Sequence, residues 1–359
     1  DYPGGIADSG VVLVLAPAYG IMQRLAILCA VLFGLSATAL GAPPAASTIQ
    51  LNWGLKTYSV PSPNALPSRI SIDARGTVWV LEANANKLGG FEPEKKTFTE
   101  YDIPTHRSFP SDLVTDRAGV VWFIEQDANQ LGRFDPVSKT FKEFEIPTID
   151  GVPRRIAHGN DGAIWFTEFF GNKLGKFDPR NESFTEYPIP TPNSQPTGLA
   201  VGPRGLVWFI ESQGNKLAVF DPASKTFREF AFPEPFLVPK DMAVDQGGRI
   251  WFGGRRNSKL MMFEPAKGSF EGFALPVRGV VEGLAIDGQG NVLFSLGYAG
   301  KLGAMNPVTK EFLAFKASLG KSEPNDIAVD RDGNIWFTDI SQNTLNKLHG
   351  KDLLGLWLK

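Results

Sequence analysis

The sequence predicts an all-β fold, a seven-bladed β-propeller with four-stranded blades, from three observations. A Gly-x-x-Trp pattern recurs at Gly76/Trp79, Gly119/Trp122, Gly162/Trp165, Gly205/Trp208, Gly248/Trp251, Gly290/Leu293 and Gly333/Trp336, in steps of 43, 43, 43, 43, 42 and 43 residues. A period in the low forties without helical periodicity marks a propeller blade. The 359 residues also include 38 Gly, 27 Pro, 27 Phe and 8 Trp, a composition suited to many short strands and tight turns. Finally, Thr57-Tyr58-Ser59-Val60-Pro61 near one end repeats a pattern that elsewhere closes a blade, Glu186-Tyr187-Pro188-Ile189-Pro190.

In chain order, Met22-Gln23-Arg24, the apolar run Leu25 to Leu35 and Ser36-Ala37-Thr38-Ala39 read as a secretory signal peptide over 22–39. They supply a basic start, an apolar stretch and an Ala-x-Ala cleavage site. Residues 1–21 read as a segment upstream of that methionine, 40–51 as a linker and 52–359 as the propeller. The competing reading, an anchor built from Val11–Leu15 and Leu25–Leu35, is opposed by short runs broken by Pro and Gly. The single cysteine, Cys29, lies in the apolar run, which excludes a disulfide framework and a cysteine zinc cage. The expected location is secreted or periplasmic, with no stable membrane anchor.

Each copy reads as four strands, A to D. In blade 4 these are Pro196–Val201, Gly205–Ile210, Lys216–Phe220 and Phe227–Phe232. The A–B turn carries Gly, the B–C turn usually Asn, and the C–D turn Asp-Pro or Glu-Pro, as in Asp135-Pro136 and Asp221-Pro222. Small residues at one level of strand A (Ala157, Ala200, Ala243, Ala285, Ala328) suit the crowded strand nearest the axis. The copy starting at Pro324 lacks a D strand, so residues 52–60 are expected to supply it and leave no open edge. Asp330-Arg331-Asp332-Gly333-Asn334 resembles a fragment of a calcium loop, but it coincides with the A–B turn of every copy and reads as a turn.

Charge narrows the partners. With 36 Lys+Arg against 38 Asp+Glu the net charge is −2, which argues against a nucleic-acid or anionic-membrane coat. A monomer is expected. No Gly-x-Ser-x-Gly elbow, phosphate loop or His-Glu-x-x-His motif occurs.

Strands A and B are antiparallel, so the start of A and the end of B share one face of the disc, where sites on repeat scaffolds gather. Eleven residues before each Trp (or Leu293) stand Ser68, Ser111, Arg154, Thr197, Lys240, Glu282 and Asn325. Three residues after it stand Glu82, Glu125, Glu168, Glu211, Gly254, Leu296 and Asp339. Carboxylates thus mark five contiguous blades, and blade 5 offers Arg255 and Arg256 instead. A solvated rim with ion pairs is one reading of these carboxylates. The other is a charged mouth that binds a divalent cation, Mg2+ or Ca2+, through oxygen ligands. The candidate ligand-binding residues are Arg154, Lys240, Glu168, Arg255 and Arg256. Among the histidines, His158 reads as structural, late in strand A, and His349 lies in the C-terminal tail. His106 lies in a D–A connection on the site face and is a remote candidate base.

The copy Trp165-Phe166-Thr167-Glu168, Asn172-Lys173-Leu174-Gly175, Phe177-Asp178-Pro179 and Glu186-Tyr187-Pro188-Ile189-Pro190 resembles the virginiamycin B lyase (streptogramin lyase) family, over roughly residues 52–348. The resemblance implies a seven-bladed propeller in which Mg2+ and a histidine open a cyclic depsipeptide lactone by elimination. The family's Glu-Pro-His followed by Trp-Phe-Thr-Glu is met most nearly by Glu323-Pro324-Asn325 and Trp336-Phe337-Thr338-Asp339, with Asn in place of His and Asp in place of Glu. Pro324-Asn325-Asp326-Ile327 also resembles gluconolactonase-type propellers, which implies Asn325 as a metal ligand, with Glu282 of the neighbouring blade able to join it. Two functions are expected from these residues. One is a metal-assisted enzyme opening a small-molecule lactone or ester, with Glu323, Asn325 and His106 catalytic and Glu282, Asn325 and Asp339 holding the metal. The other is a non-catalytic propeller presenting its mouth to a glycan, peptide or protein.

Overall fold

The computed structural model describes residues 48–49, 54–255, 257–317 and 321–350. They form seven antiparallel blades arranged in a ring, each ordered A-B-C-D outwards from the axis. Blade 1 runs Pro67–Ile72, Val78–Glu82, Lys87–Glu92 and Thr97–Asp102. Blades 2 to 6 follow at 110–145, 153–188, 196–231, 242–274 and 281–316. Blade 7 takes Pro324–Val329, Ile335–Asp339 and Thr344–Leu348 from one end of the chain and Lys56–Ser59 from the other, as expected. The proposed signal peptide and the residues before it lie outside the described residues. So does most of the expected linker, although Thr48–Ile49 adds a fifth, parallel strand to blade 6.

The Trp repeat has a local cause. In four blades the indole N–H donates to the aspartate six residues earlier: Trp79 to Asp73 (3.2 Å), Trp122 to Asp116 (3.1 Å), Trp251 to Asp245 (3.0 Å) and Trp336 to Asp330 (2.9 Å). The same carboxylate accepts turn N–H groups; Asp330 takes those of Asp332 and Asn334. The segment 330–334 is therefore a turn, with Gly333 at φ 76° supplying the left-handed residue it needs. This turn shifts the start of strand B in blade 4 from the expected Gly205 to Val207. The rings of Trp79, Trp122, Trp165, Trp208 and Trp336 then pack on a strand C phenylalanine of the next blade, as Trp79 does on Phe134 (5.6 Å), Trp165 on Phe220 (5.8 Å) and Trp336 on Phe91 (5.8 Å). Aromatic burial thus joins most neighbouring blades, while Met305 and Leu293 serve on either side of blade 6.

The B–C turn is equally specific. Asn86, Asn129, Asn172 and Asn343 adopt φ between 52° and 57°, which Asn tolerates. Their amides reach the D–A connection. Asn172 donates to the carbonyls of Ile189 (3.2 Å) and Thr191 (3.0 Å) and accepts from Ser194 N–H (2.7 Å). Asn343 does the same for the N-terminal strand, donating to Val60 and Ser62. The glycine three residues after the turn Asn has a packing reason: a Cβ on Gly175 would lie 2.1 Å from the Phe166 ring.

Closure should govern stability. A chain truncated to begin at Pro63 loses Lys56–Ser59, exposes the edge of Thr344–Leu348 and removes Tyr58 from its place against Phe91 (4.4 Å). Its melting temperature should fall by roughly 10 °C or more. Melting that coincides with that of the full chain would show that the seam contributes nothing.

Candidate functional site

At the face shared by D–A connections and B–C turns, strand A carries a bulge. In blades 1, 2 and 3 the pairing steps from Pro67↔Glu82 to Arg69↔Leu81, from Pro110↔Glu125 to Asp112↔Ile124 and from Pro153↔Glu168 to Arg155↔Thr167. The extra residues are Ser68, Ser111 and Arg154. A bulge interrupts the alternation of side chains and re-aims its neighbours. Here it leaves one residue at the mouth and turns the next towards the axis.

The residues turned inwards form a charged plug. Arg69 Nη1 lies 3.0 Å from Asp241 and 3.3 Å from Asp326, and its Nε lies 3.6 Å from Asp112. Arg155 reaches Asp112 (3.7 Å) and Asp241 (3.9 Å) and donates to the Lys240 carbonyl (2.8 Å). Burial pushes Asp112 up to about 7 despite Arg69. It also works against the charge of Arg69, yet Asp326, Asp241 and Asp112 hold that guanidinium above its ordinary value. Sequence reasoning missed this cluster. Its signal was the position after each mouth residue, which reads Arg69, Asp112, Arg155, Gly198, Asp241, Gly283 and Asp326: charges that alternate instead of repeating.

The strand B carboxylates correct the expectation of an acidic mouth. Glu82, Glu125, Glu168 and Glu211 are 0 % exposed, and none of their carboxyl oxygens has a hydrogen-bond partner among the described residues. The Glu168 carboxyl packs on glycine; a Cβ on Gly171 would lie 2.6 Å from its Oε2. Burial pushes Glu82 and Glu125 up to about 8, and Glu168 and Glu211 up to about 7, so at neutral pH the first two are largely protonated and the other two about half so. Neither a solvated rim nor a set of cation ligands describes them, and Glu168 exposes no surface at the mouth. The structural ion pairs belong to strand D. Glu186 accepts from Lys173 (2.6 Å) and from the hydroxyl (2.9 Å) and N–H (3.0 Å) of Thr148, pinning the D–A connection; Glu100 repeats this with Lys87 and Ser62. Against the opposing effect of burial, the Lys173 and Thr148 bonds hold Glu186 below its usual value.

The proposed metal residues are committed elsewhere. Asp339 is buried and accepts five hydrogen bonds, from the N–H groups of Glu323, Ser341 and Gln342 and the hydroxyls of Ser341 and Ser322. Glu282 pairs with Lys240 at 2.6 Å, and the Asn325 amide donates to the Ser68 carbonyl. Among the described residues no group of three His, Cys, Asp or Glu is placed to hold a metal ion. Glu323 is half-buried, and its backbone carbonyl accepts from Ile340. His106 is exposed and lines a depression of about 540 Å³ with Asn84, Arg107, Phe109 and Asp127. His158 lies apart from the mouth, and burial lowers its pKa. Arg154 is half-buried, with its guanidinium 3.9 Å above the Phe169 ring. Arg255 is exposed, and Arg256 lies outside the described residues.

The sequence profile of the virginiamycin B lyase family matches residues 44–281. The chain belongs to the virginiamycin B lyase family. Its fold is similar to that of virginiamycin B lyase from Staphylococcus aureus, with 25% identity over 82% of this chain and 98% of that one, at a TM-score of 0.77. The same values hold for a catalytically inactive histidine-to-alanine form of that enzyme with quinupristin. The extracellular domain of a putative one-component system from B. thetaiotaomicron shares the fold at 14% identity, a TM-score of 0.67 and 82% of this chain against 40% of that one. No curated protein sequence matches the chain significantly.

The buried glutamates set a pH dependence. Their folded pKa values lie above the unfolded value, so the folded state keeps protons that the unfolded chain has released. Stability should therefore fall as pH rises from about 4.5 through 8, and level off beyond. Glu168→Gln with Glu211→Gln keeps the neutral shape and should flatten part of that fall in melts between pH 5 and 9. An unchanged slope would show that these carboxyls do not titrate there.

Proposed function

We propose that this protein is a ligand-binding propeller of the virginiamycin B lyase family that takes its ligand at the mouth beside Arg154 without opening a lactone. The observation that carries this reading is the commitment of the blade 7 side chains that the resemblance aligns with the lyase's chemistry. Elimination requires a base for the proton beside a carbonyl and a cation or donor for the developing charge. Asn325 is an amide and no base near neutral pH, and its N–H is spent on Ser68. The lone pairs of Asp339 are taken by the loop around it, and Glu282 by Lys240. This donor set does not fit a divalent cation as arranged. The S. aureus lyase with one histidine changed to alanine is catalytically inactive and is found with quinupristin, so binding and turnover separate in this fold. The signal peptide reading makes the periplasm or cell exterior the proposed compartment.

A second reading, lactone opening with His106 as base, is favoured by one observation: that histidine lines a depression of the site face with Asn84 and Asp127. Mass spectrometry of quinupristin incubated with the protein and Mg2+ separates the two. Elimination leaves the mass unchanged while altering the fragmentation, and opening by water adds the mass of one water. The expected outcome is intact antibiotic. Opening that His106→Ala abolishes would establish the second reading, and opening that survives this change would overturn both.

A further inference from the structure

We propose that the ligand at the mouth is a carboxylate borne on an apolar body, gripped by the Arg154 guanidinium and the Ser111 hydroxyl. This rests on the binding reading above and names its ligand class. Ser111 and Arg154 are the extra residues of the bulges in neighbouring strands A, so they stand side by side at one level of the mouth. Ser111 Oγ and Arg154 Nε are both buried and lack a hydrogen-bond partner among the described residues. Buried donors are ordinarily paired, and two adjacent orphans mark a place where an acceptor belongs.

Arg154 makes no ion pair among the described residues. Its neighbour Arg155 is committed to Asp112 and Asp241, Lys240 is paired with Glu282, and burial holds the nearby Glu168 up at about 7. Burial lowers the pKa of Arg154, the mark of a cation poorly served by solvent. Phe169 covers the flat face of the guanidinium and leaves its N–H edge for a planar, two-oxygen acceptor. An apolar body has somewhere to rest: Phe170, 65 % exposed, lies edge-on to Phe169 at 4.9 Å, and Ile149 is exposed in the connection before blade 3.

These parts are held in place before any ligand arrives. The N–H groups of Phe169 and Phe170 donate to the carbonyls of Val152 (3.0 Å) and Gly151 (2.9 Å). Val152 sits at φ 52°, a left-handed conformation that a β-branched residue adopts only when its surroundings impose it. Asn129 fixes the same connection through the Thr148 carbonyl (2.9 Å). Little ordering remains to oppose binding.

Titration calorimetry of the full chain tests this with 3-phenylpropionate and its amide, and with acetyl-Gly-Gly-Phe bearing a free or an amidated C-terminus. The acids should bind at least about tenfold more tightly than the amides, as expected for a charge-assisted pair. Arg154→Met should weaken the acids to the level of the amides, Arg154→Lys should restore part of the difference, and Ser111→Ala should cost several-fold. Tighter binding of the peptide acid than of phenylpropionate would identify a peptide C-terminus as the source, and the reverse a small organic acid. Equal binding of acids and amides would overturn the carboxylate assignment and leave the mouth as a binding site. Absence of binding by all four probes at millimolar concentration, or acid binding that survives in both Arg154 variants at full strength, would also overturn it. Turnover of quinupristin would instead strike at the binding reading itself.

Discussion

The guanidinium of Arg69 decides how the innermost strands sit around the axis. Three aspartates from blades 2, 5 and 7 converge on it, and Arg155 adds a second cation to two of them. Two of those aspartates also accept backbone N–H groups of the following blade, Asp112 from Ile156 and Asp326 from Ile70, both at 3.0 Å. Each therefore fixes strand position and charge position together. Breaking such a buried set leaves an unpaired charge away from water, which costs far more than the set contributes when intact. Gly283 completes the arrangement: a Cβ there would lie 2.7 Å from Asp326 Oδ1.

What could be read in the residues depends on how far their causes reach. The period, the Asp-turn-Trp unit and the turn Asn arise within some twenty residues of chain, and the seven blades and their closing strand follow from them. The central plug joins residues 172 and 256 positions apart, and the bulge beside it breaks the two-residue alternation by which strands are read. A periodic reading therefore stopped one residue short, at Arg154 instead of Arg155. The glutamates ending strand B were assigned to the correct end of the blade and to the wrong environment. Spacing places a residue along a strand, but the glycines beside Glu168 and the bonds that Thr148 gives to Glu186 decide whether its carboxyl meets water.

The departures from the lyase pattern are concentrated where the family profile no longer matches. That match ends at residue 281, one position before Glu282, and Asn325 and Asp339 lie beyond it. Arg154, Phe169 and Ser111 lie within it, on blades whose loops are tied by the repeated Asn and Glu bonds. A scaffold held by its turns and its central plug lets one sector of the mouth change its chemistry while the ring persists.

The seam in blade 7 also has a consequence for synthesis. Thr57 and Asn346 bond at 2.9 Å across 289 residues of chain, so a strand made before six blades pairs with one made after them. Six blades can assemble in order on local contacts, while Lys56–Ser59 waits with Tyr58 unburied. Pairings so distant in sequence form slowly, because the loop between them must close before any contact rewards it. During that interval the nascent chain carries two unmatched sheet edges. It is in this period, more than in the finished ring, that the molecule is open to a chaperone, a protease or a second unfinished copy.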